Sequence, residues 1–556
     1  MNGIAFYKKI LIAQQNPVKV NTPTGSSVPS AIADIRESAS AAHLTGKRIV
    51  AAESFSVNGD EGRAYTYCPE NMKYVADVAL SAGLNRFVIH ESASQPNDAY
   101  LPDLQLFRYG QWFHRNETWG EYARVFTDYL ARSSAMLQQG FPVADILLYY
   151  GEDSNITALY GGDTFNLLPE VPAGYEYDFI NPTALLYLEV DSSMRYKVLW
   201  LDKNCETMSL DVILKIRDLS DAGIRICGDE PVRCAGLRAD QRMFRRVVRD
   251  IWHSGRANVY GTLAEALEGM EPDCLASFEG DGSASTTDFR YVHRVLNDGD
   301  HVYWIRNFSG SDVSALISFR DHCANAALFN PENGSITPLA TSTDGTRATI
   351  NIPMISSDAF FVVFSDKPFV AGSSAGITGQ PVGLGGRVDE DILPLRLSKH
   401  WRVRFSQKGG GTAEETFTDL HSWTESPDPV VRYFSGTAVY STSFEIDGGT
   451  LEKYSRLALD LGSVKNIAEV TINGKNVGVL WKAPFITDDI KPMLHIGANS
   501  IEIKVTNLWR NRMIGDVQPG EKHPVTAIRR FYKAGDPLLP SGLLGPVGII
   551  GQACAP

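Results

Sequence analysis

Three places in the sequence set ionisable side chains where a buried strand should end. The run RIVAAESF (residues 48–55) is built of β-branched and small residues and stops on Glu53. NRFVIH ends on His90 with Glu91 next, and VADILLYYGED leads to Glu152 and Asp153. Parallel β/α barrels carry their working groups at the C-terminal ends of strands, which makes all five side chains candidates for acid–base chemistry. Carboxylates at strand ends also serve as helix caps or partners of arginine, so position alone does not decide. The loop after His90 starts with Gln95 and closes on Trp112, Phe113, His114, Arg115, Asn116, Glu117 and Trp119. Aromatic faces beside amide and charged donors suit a sugar ring, which stacks through its C–H faces and hydrogen-bonds through its hydroxyls. A plainer reading has Thr118 and Trp119 starting a long helix, with Asn116 as its cap.

The elements that must hold these groups alternate between helix and apolar strand over residues 30–153. SAIADIRESASAAHLTGK reads as a helix closed by Gly46, and RIVAAE as a strand. PENMKYVADVALSAG is a helix with Pro69 near its start and Gly83 past its end. NRFVIH is the next strand, and NETWGEYARVFTDYLARSSAMLQQG a helix ending at Gly140. Strands apolar on both faces and joined by helices predict parallel β/α architecture. The units are too few to close an eight-stranded barrel, so residues 1–142 are expected to form the C-terminal part of a (β/α)8-type barrel.

Residues 143–275 read as a second, doubly wound α/β block, with RYKVLWLD, SLDVILKIRDLSDAG and IRICGD as a strand–helix–strand unit. It has neither GxGxxG nor a P-loop, so no nucleotide is expected there. Residues 276–365 change to strand-length segments broken by the turns NDGD and ENGS, the pattern of an antiparallel sandwich. Residues 366–391 form a linker rich in Gly and Ser. Residues 392–556 alternate apolar and polar positions, as a Greek-key or jelly-roll β-sandwich does. The fold class is therefore multidomain α/β plus all-β.

A formal net charge of −13 with no basic stripe argues against nucleic acid as a partner. Neutral ligands such as sugars suit it better. No apolar run approaches the roughly 18 residues of a membrane span. In MNGIAFYKKILIAQQ only ILIA follows the lysines, too short for the apolar core of a signal peptide. The seven cysteines contain no CxxC pair and read as buried free thiols.

Several segments together resemble the bacterial α-L-rhamnosidases of glycoside hydrolase family 106. They are DIRESASAAHLTGKRIVAAESF, GLNRFVIHESASQP, GQWFHRNETW, YLARSSAMLQQG and VADILLYYGEDS, in that order. GTAVYSTSFEI, VTINGKNVGVLW, VTNLWRNRMIGD and PLLPSGLLGPVGI are similar to the family's terminal galactose-binding-like domain, which family 2 glycosidases share. The resemblance runs from about residue 32 to 551. It implies an enzyme that removes terminal α-L-rhamnose from glycans or glycosides with inversion, assisted by calcium near the sugar hydroxyls.

On that resemblance Glu53 is the general base, and His90, Gln95, Trp112, Arg115, Asn116 and Trp119 surround the rhamnose. Glu91, Glu152 and Asp153 supply hard oxygen ligands for calcium. The family's general acid lies in an Asp-x-x-Glu segment of an earlier strand, with an aromatic before the Glu. No strand segment of that pattern occurs here, which implies that about half of a full-length member precedes this sequence. The sequence also departs from the family at Ser94, where a histidine is common before the QP of the loop. Full-length members are exported; this sequence leaves its own compartment open. The competing readings are a non-catalytic carbohydrate-binding remnant and, more remotely, a retaining galactosidase-like enzyme. Trp509, Asn511 and Arg512 are expected to brace the barrel rather than to line a second carbohydrate face.

Overall fold

The strand that ends on the candidate base, Ala51–Ser54, lies in the middle of a three-stranded parallel sheet, between Phe6–Tyr7 and Arg86–Ile89. The computed structural model describes residues 6–7, 28–55, 63–92, 94–96, 101–102, 113–152, 169–189, 195–203, 205–279, 288–370, 391–396, 400–528 and 531–553. Helices Val28–Leu44 and Pro69–Ser81 cover one face of this sheet. There Ala52 and Phe87 pack with Ile35, Ala39, Ala79, Ala82 and Leu84. Side chains alternate across a strand, so Glu53 and its register partner Val88 belong to the opposite face, with Ala51 and Arg86. Arg86 and Val88 are exposed on it.

Five parallel strands form the second sheet. Their order is Val259–Tyr260, Arg225–Cys227, Val198–Leu201, Ile146–Tyr149, Tyr177–Ile180. In chain order this is 5-4-3-1-2, the arrangement of an open doubly wound sheet. Ser209 caps helix Leu210–Asp221 by accepting from the Val212 amide, and helix Gln241–Trp252 packs beside it through Phe244, Val247, Val248 and Ile251. Phe141–Pro142 pairs with Phe289–Val295 as the edge of a six-stranded antiparallel sheet, and the adjoining Gly140 lies against the Val295 backbone with no room for a side chain. That sheet and the four-stranded one begun by Cys274–Glu279 enclose a shared core around Tyr303, Ile317 and Phe364. The C-terminal region is mainly β, with a six-stranded and a three-stranded antiparallel sheet over a core that includes Trp401, Tyr440 and Ile503, and the short helix Arg510–Gly515 follows its strand Gly497–Thr506. All six cysteines among the described residues are free thiols, five of them buried. No helix among the described residues is long and apolar enough to cross a membrane.

Where the first sheet's helices meet the sandwich and the C-terminal region, six charged side chains are buried together. Asp77 accepts from Lys73 at 2.8 Å and from Arg306 at 2.7 Å, and also from the Tyr129 hydroxyl. Lys482 of the C-terminal region lies 3.4 Å from Glu332 and 3.8 Å from Asp358. Lys73 and Lys482 both donate to Ser357, one to its carbonyl and one to its hydroxyl. Three cations face three anions, so the group is electrically balanced. Burial still bears on it, lowering the Lys73 ammonium and raising the Asp358 carboxyl to about 6. Removing one partner strands a buried charge, which costs far more than the intact pair contributes. Lys482→Met is therefore expected to lower the urea midpoint of unfolding by an amount equivalent to about 3–5 kcal/mol. An unchanged midpoint would show that water reaches this junction.

A second prediction concerns helix Val28–Leu44. Burial, followed by the neighbouring Asp34, raises the Glu37 carboxyl to about 7. A raised acid favours the protonated folded state. Its contribution is complete below about pH 4.5, the ordinary value, and is lost as pH rises through about 7. Glu37→Gln should accordingly raise the melting temperature at pH 8 and leave it nearly unchanged at pH 4. Equal shifts at both pH values, measured by scanning fluorimetry, would contradict this.

Candidate active site

Parallel pairing brings Glu53 and His90 to the same end of the first sheet. The register Ser54↔Ile89 continues one step further, where the His90 amide donates to the Ser54 carbonyl at 3.0 Å. Both side chains are half-buried. Adjacent strands are about 4.8 Å apart, so the two residues flank one small volume. Immediately after the glutamate strand, Phe55 takes a left-handed backbone with φ +64°. For a phenylalanine this costs on the order of 1–2 kcal/mol. Its ring is 1 % exposed and lies among Phe87, Phe113 and Phe126, at centroid distances of 5.8, 6.0 and 5.6 Å. Burying a phenylalanine returns about 1.5–3 kcal/mol, enough to hold the turn. The strand end that carries Glu53 is thus fixed by the aromatic cluster behind it.

The three residues after the neighbouring strand that the structure describes most tellingly are His90, Glu91 and Gln95. His90 Nδ1, Glu91 Oε1 and both amide atoms of Gln95 are buried with no hydrogen-bond partner among the described residues. His90 Nε2 lies 3.7 Å from Glu91 Oε2. Buried polar atoms are nearly always partnered, and a group of orphans within six positions of sequence calls for an external partner. Sugar hydroxyls, which both donate and accept, meet that need.

The far end of the loop is tied back to this strand end, since the Phe113 amide donates to the Glu91 carbonyl at 2.9 Å. Beyond it residues 114–120 form a tight turn. The Asn116 amide donates to His114 Nδ1 at 3.0 Å, and a Cβ at Gly120 would meet the His114 carbonyl at 2.7 Å. Arg115 is exposed on this turn. Two of the expected sugar contacts are buried and bonded within the chain. Trp119 is 1 % exposed, its indole N–H donates to the Tyr67 carbonyl at 3.1 Å, and its ring abuts Phe113 edge to face. Asn116 is 2 % exposed, with Oδ1 accepting from Lys408 Nζ at 2.6 Å and its carbonyl from Trp509 Nε1 at 2.8 Å. Their polar groups serve the protein. Nor does Asn116 cap the following helix, which begins as a 3-10 turn at Gly120–Tyr122 and becomes α-helical at Ala123. Trp112 and Asp153 lie outside the described residues.

Of the carboxylates expected to hold calcium, Glu91 and Glu152 follow strands of different sheets. Glu152 stands at the end of the Ile146–Tyr149 strand in the second sheet, where it accepts from the Ser209 amide at a helix start. Glu91 offers an unpartnered oxygen fit for a hard cation. A different trio with metal-like spacing, Asp273, His293 and Asp321, sits in the sandwich. There His293 Nδ1 is 3.0 Å from Asp273, and Arg320 lies 3.6 Å from Asp273 and 3.2 Å from Asp321. The guanidinium already supplies the positive charge, so this trio reads as a structural ion cluster. In the C-terminal region Asn511 donates to the Leu539 carbonyl and Arg512 pairs with Asp516 at 2.7 Å. With Trp509 they brace the fold, and the partnership of Lys408 with Asn116 had no local signal in the sequence.

A family model described as alpha-L-rhamnosidase, of glycoside hydrolase family 106, matches residues 15–342. A solved rhamnosidase from Novosphingobium sp. PP1Y is 32 % identical and superposes with a TM-score of 0.80 over 94 % of this chain and 49 % of its own. A putative beta-glucuronidase of Formosa agariphila is 25 % identical over 92 % of this chain and 63 % of its own length. The chain thus spans about half of the rhamnosidase and somewhat under two thirds of the second relative. With more than half of its residues matched by the family model, the chain belongs to the glycoside hydrolase family 106 α-L-rhamnosidases.

Proposed function

We propose that this chain carries the water-activating half of an inverting α-L-rhamnosidase site. The observation that carries the reading is the set of orphaned buried atoms on His90, Glu91 and Gln95 beside the strand end of Glu53. On this reading the three-stranded layer is part of a (β/α)8-type barrel, and the C-terminal region is a galactose-binding-like jelly roll. The family match over residues 15–342 supports the first, and the sheets of the C-terminal region support the second. Glu53 acts as the general base. Its carboxylate takes a proton from a water molecule, whose oxygen attacks the anomeric carbon of a terminal α-L-rhamnoside as the glycosidic bond breaks. The leaving oxygen needs a proton from a second carboxyl group about 6.5–9.5 Å from the first. The reading assigns that acid to no residue of this sequence. His90 and Gln95 take the sugar hydroxyls, with Arg115 at the rim. Calcium enters the proposal only as an ion that Glu91 would bind and takes no step in it.

Nitrophenolate departs readily without a proton, so a site holding only its base can still turn over a nitrophenyl α-L-rhamnoside. Glu53→Gln is expected to reduce that kcat by about 10²–10⁴-fold while KM changes little. Turnover that survives the substitution would remove Glu53 as the base. The exposed Arg86 and Val88 on the face that bears Glu53 favour a second reading, a carbohydrate-binding module without turnover. L-rhamnose binding by calorimetry, with no hydrolysis by the folded chain, would select it. Adding a chelator to both assays tests the calcium at Glu91.

A further inference from the structure

The C-terminal region touches the loops around Glu53 and His90 at several points. Trp509 Nε1 donates to the Asn116 carbonyl at 2.8 Å, and Lys408 Nζ donates to Asn116 Oδ1 at 2.6 Å. The Ala527 amide donates to the Leu101 carbonyl at 2.8 Å, and the Tyr532 hydroxyl donates to the Ala64 carbonyl. Around these bonds Ala64, Tyr65 and Leu101 share one apolar cluster with Trp509, Met513, Ile514 and Tyr532. The segment after the glutamate strand and the loop after the histidine strand are therefore fastened to the same C-terminal helix and its flanks. From Asn116 the connection runs through its turn to Phe113, whose amide is bonded to the Glu91 carbonyl beside the orphaned atoms.

We infer that Lys408 and Trp509 are positioning residues of the candidate site, acting through Asn116 to set the turn that presents Arg115. The inference rests on the rhamnosidase reading for its ligand. It goes further by giving the C-terminal domain a part in building the site, beyond bracing. Neither residue needs to touch the sugar. Trp509 is 2 % exposed, and its only polar atom is spent on the Asn116 carbonyl, so it sets backbone position. The lysine fixes the side chain of the same residue. Two donors on one asparagine, one to its backbone and one to its side chain, leave the turn no rotation about that point.

The test compares Trp509→Phe, which keeps a ring but loses the donor, and Lys408→Met, which keeps the stem but loses the ammonium, with Lys408→Arg, which restores a donor. Lys408 is an exposed residue, so its variants are expected to fold. Arg402→Ala, which breaks an exposed pair with Glu414 in the same domain, is the control. Hydrogen exchange at residues 113–117 should quicken about tenfold in Trp509→Phe and Lys408→Met, as loss of a bond to a buried partner predicts. Exchange in strand Thr437–Ile446 should hold at the wild-type rate. The L-rhamnose Kd and the KM for nitrophenyl rhamnoside should rise about tenfold, with kcat nearly constant, and Lys408→Arg should recover most of both. Wild-type exchange at 113–117 in both variants overturns the inference. So does equal quickening in the distant strand, which would mark a purely stabilising role. If the wild-type chain binds no L-rhamnose, the rhamnosidase reading falls, and local exchange alone then decides whether Lys408 and Trp509 position the turn.

Discussion

Asp77 sits where the first sheet's helices, the antiparallel sheets and the C-terminal region meet, accepting at once from Lys73, Arg306 and Tyr129 in a space closed to water. An isolated buried carboxylate would be prohibitively costly there. Its cations come from its own helix and from the sandwich, and the second half of the cluster is completed by Lys482 from the C-terminal domain. None of the three can therefore shift without leaving an unpaired charge inside. Helix Pro69–Ser81 carries Lys73 and Asp77 and packs on the sheet that ends at Glu53 and His90, so the same cluster fixes the floor of the candidate site. Surface pairs such as Arg402–Glu414 have no comparable hold, since solvent ions screen them.

On that floor the site is assembled from two sides. Behind Glu53 the ring of Phe55 secures an unfavourable turn. In front, the turn at 114–117 is held by hydrogen bonds from the C-terminal domain. Gly120 is required because the turn closes too tightly for any Cβ. The chemistry proposed for Glu53 thus depends on rigid elements on one side and on a docked neighbour on the other, while the orphaned atoms of His90, Glu91 and Gln95 are left for a ligand.

Much of this was legible in the residues. The apolar run into Glu53, the strand NRFVIH and the strand–helix–strand unit around residues 198–227 lie where their composition places them, because period and punctuation are local properties. The burial of Asn116 and Trp119 was not legible, for the opposite reason. An asparagine and a tryptophan in a polar stretch look exposed, and what buries Asn116 lies 292 and 393 residues further along the chain, at Lys408 and Trp509. Glu152 likewise ends a strand as the barrel rule requires, but of a different sheet, and sequence proximity carries no information about which sheet a strand joins. The pairing of Phe141–Pro142 with the sandwich is a contact of the same long-range kind.

The separation between Asn116 and Trp509 also has a meaning in time. A ribosome releases residue 116 long before it reaches residue 509, at about 5–20 residues per second. Throughout that interval the Asn116 carbonyl and side chain must find other company, water or a chaperone, and the turn around Arg115 is not yet set. The order of synthesis therefore makes the turn around Arg115 one of the last parts of the molecule to take its final shape, whatever the speed at which its own helices and strands form.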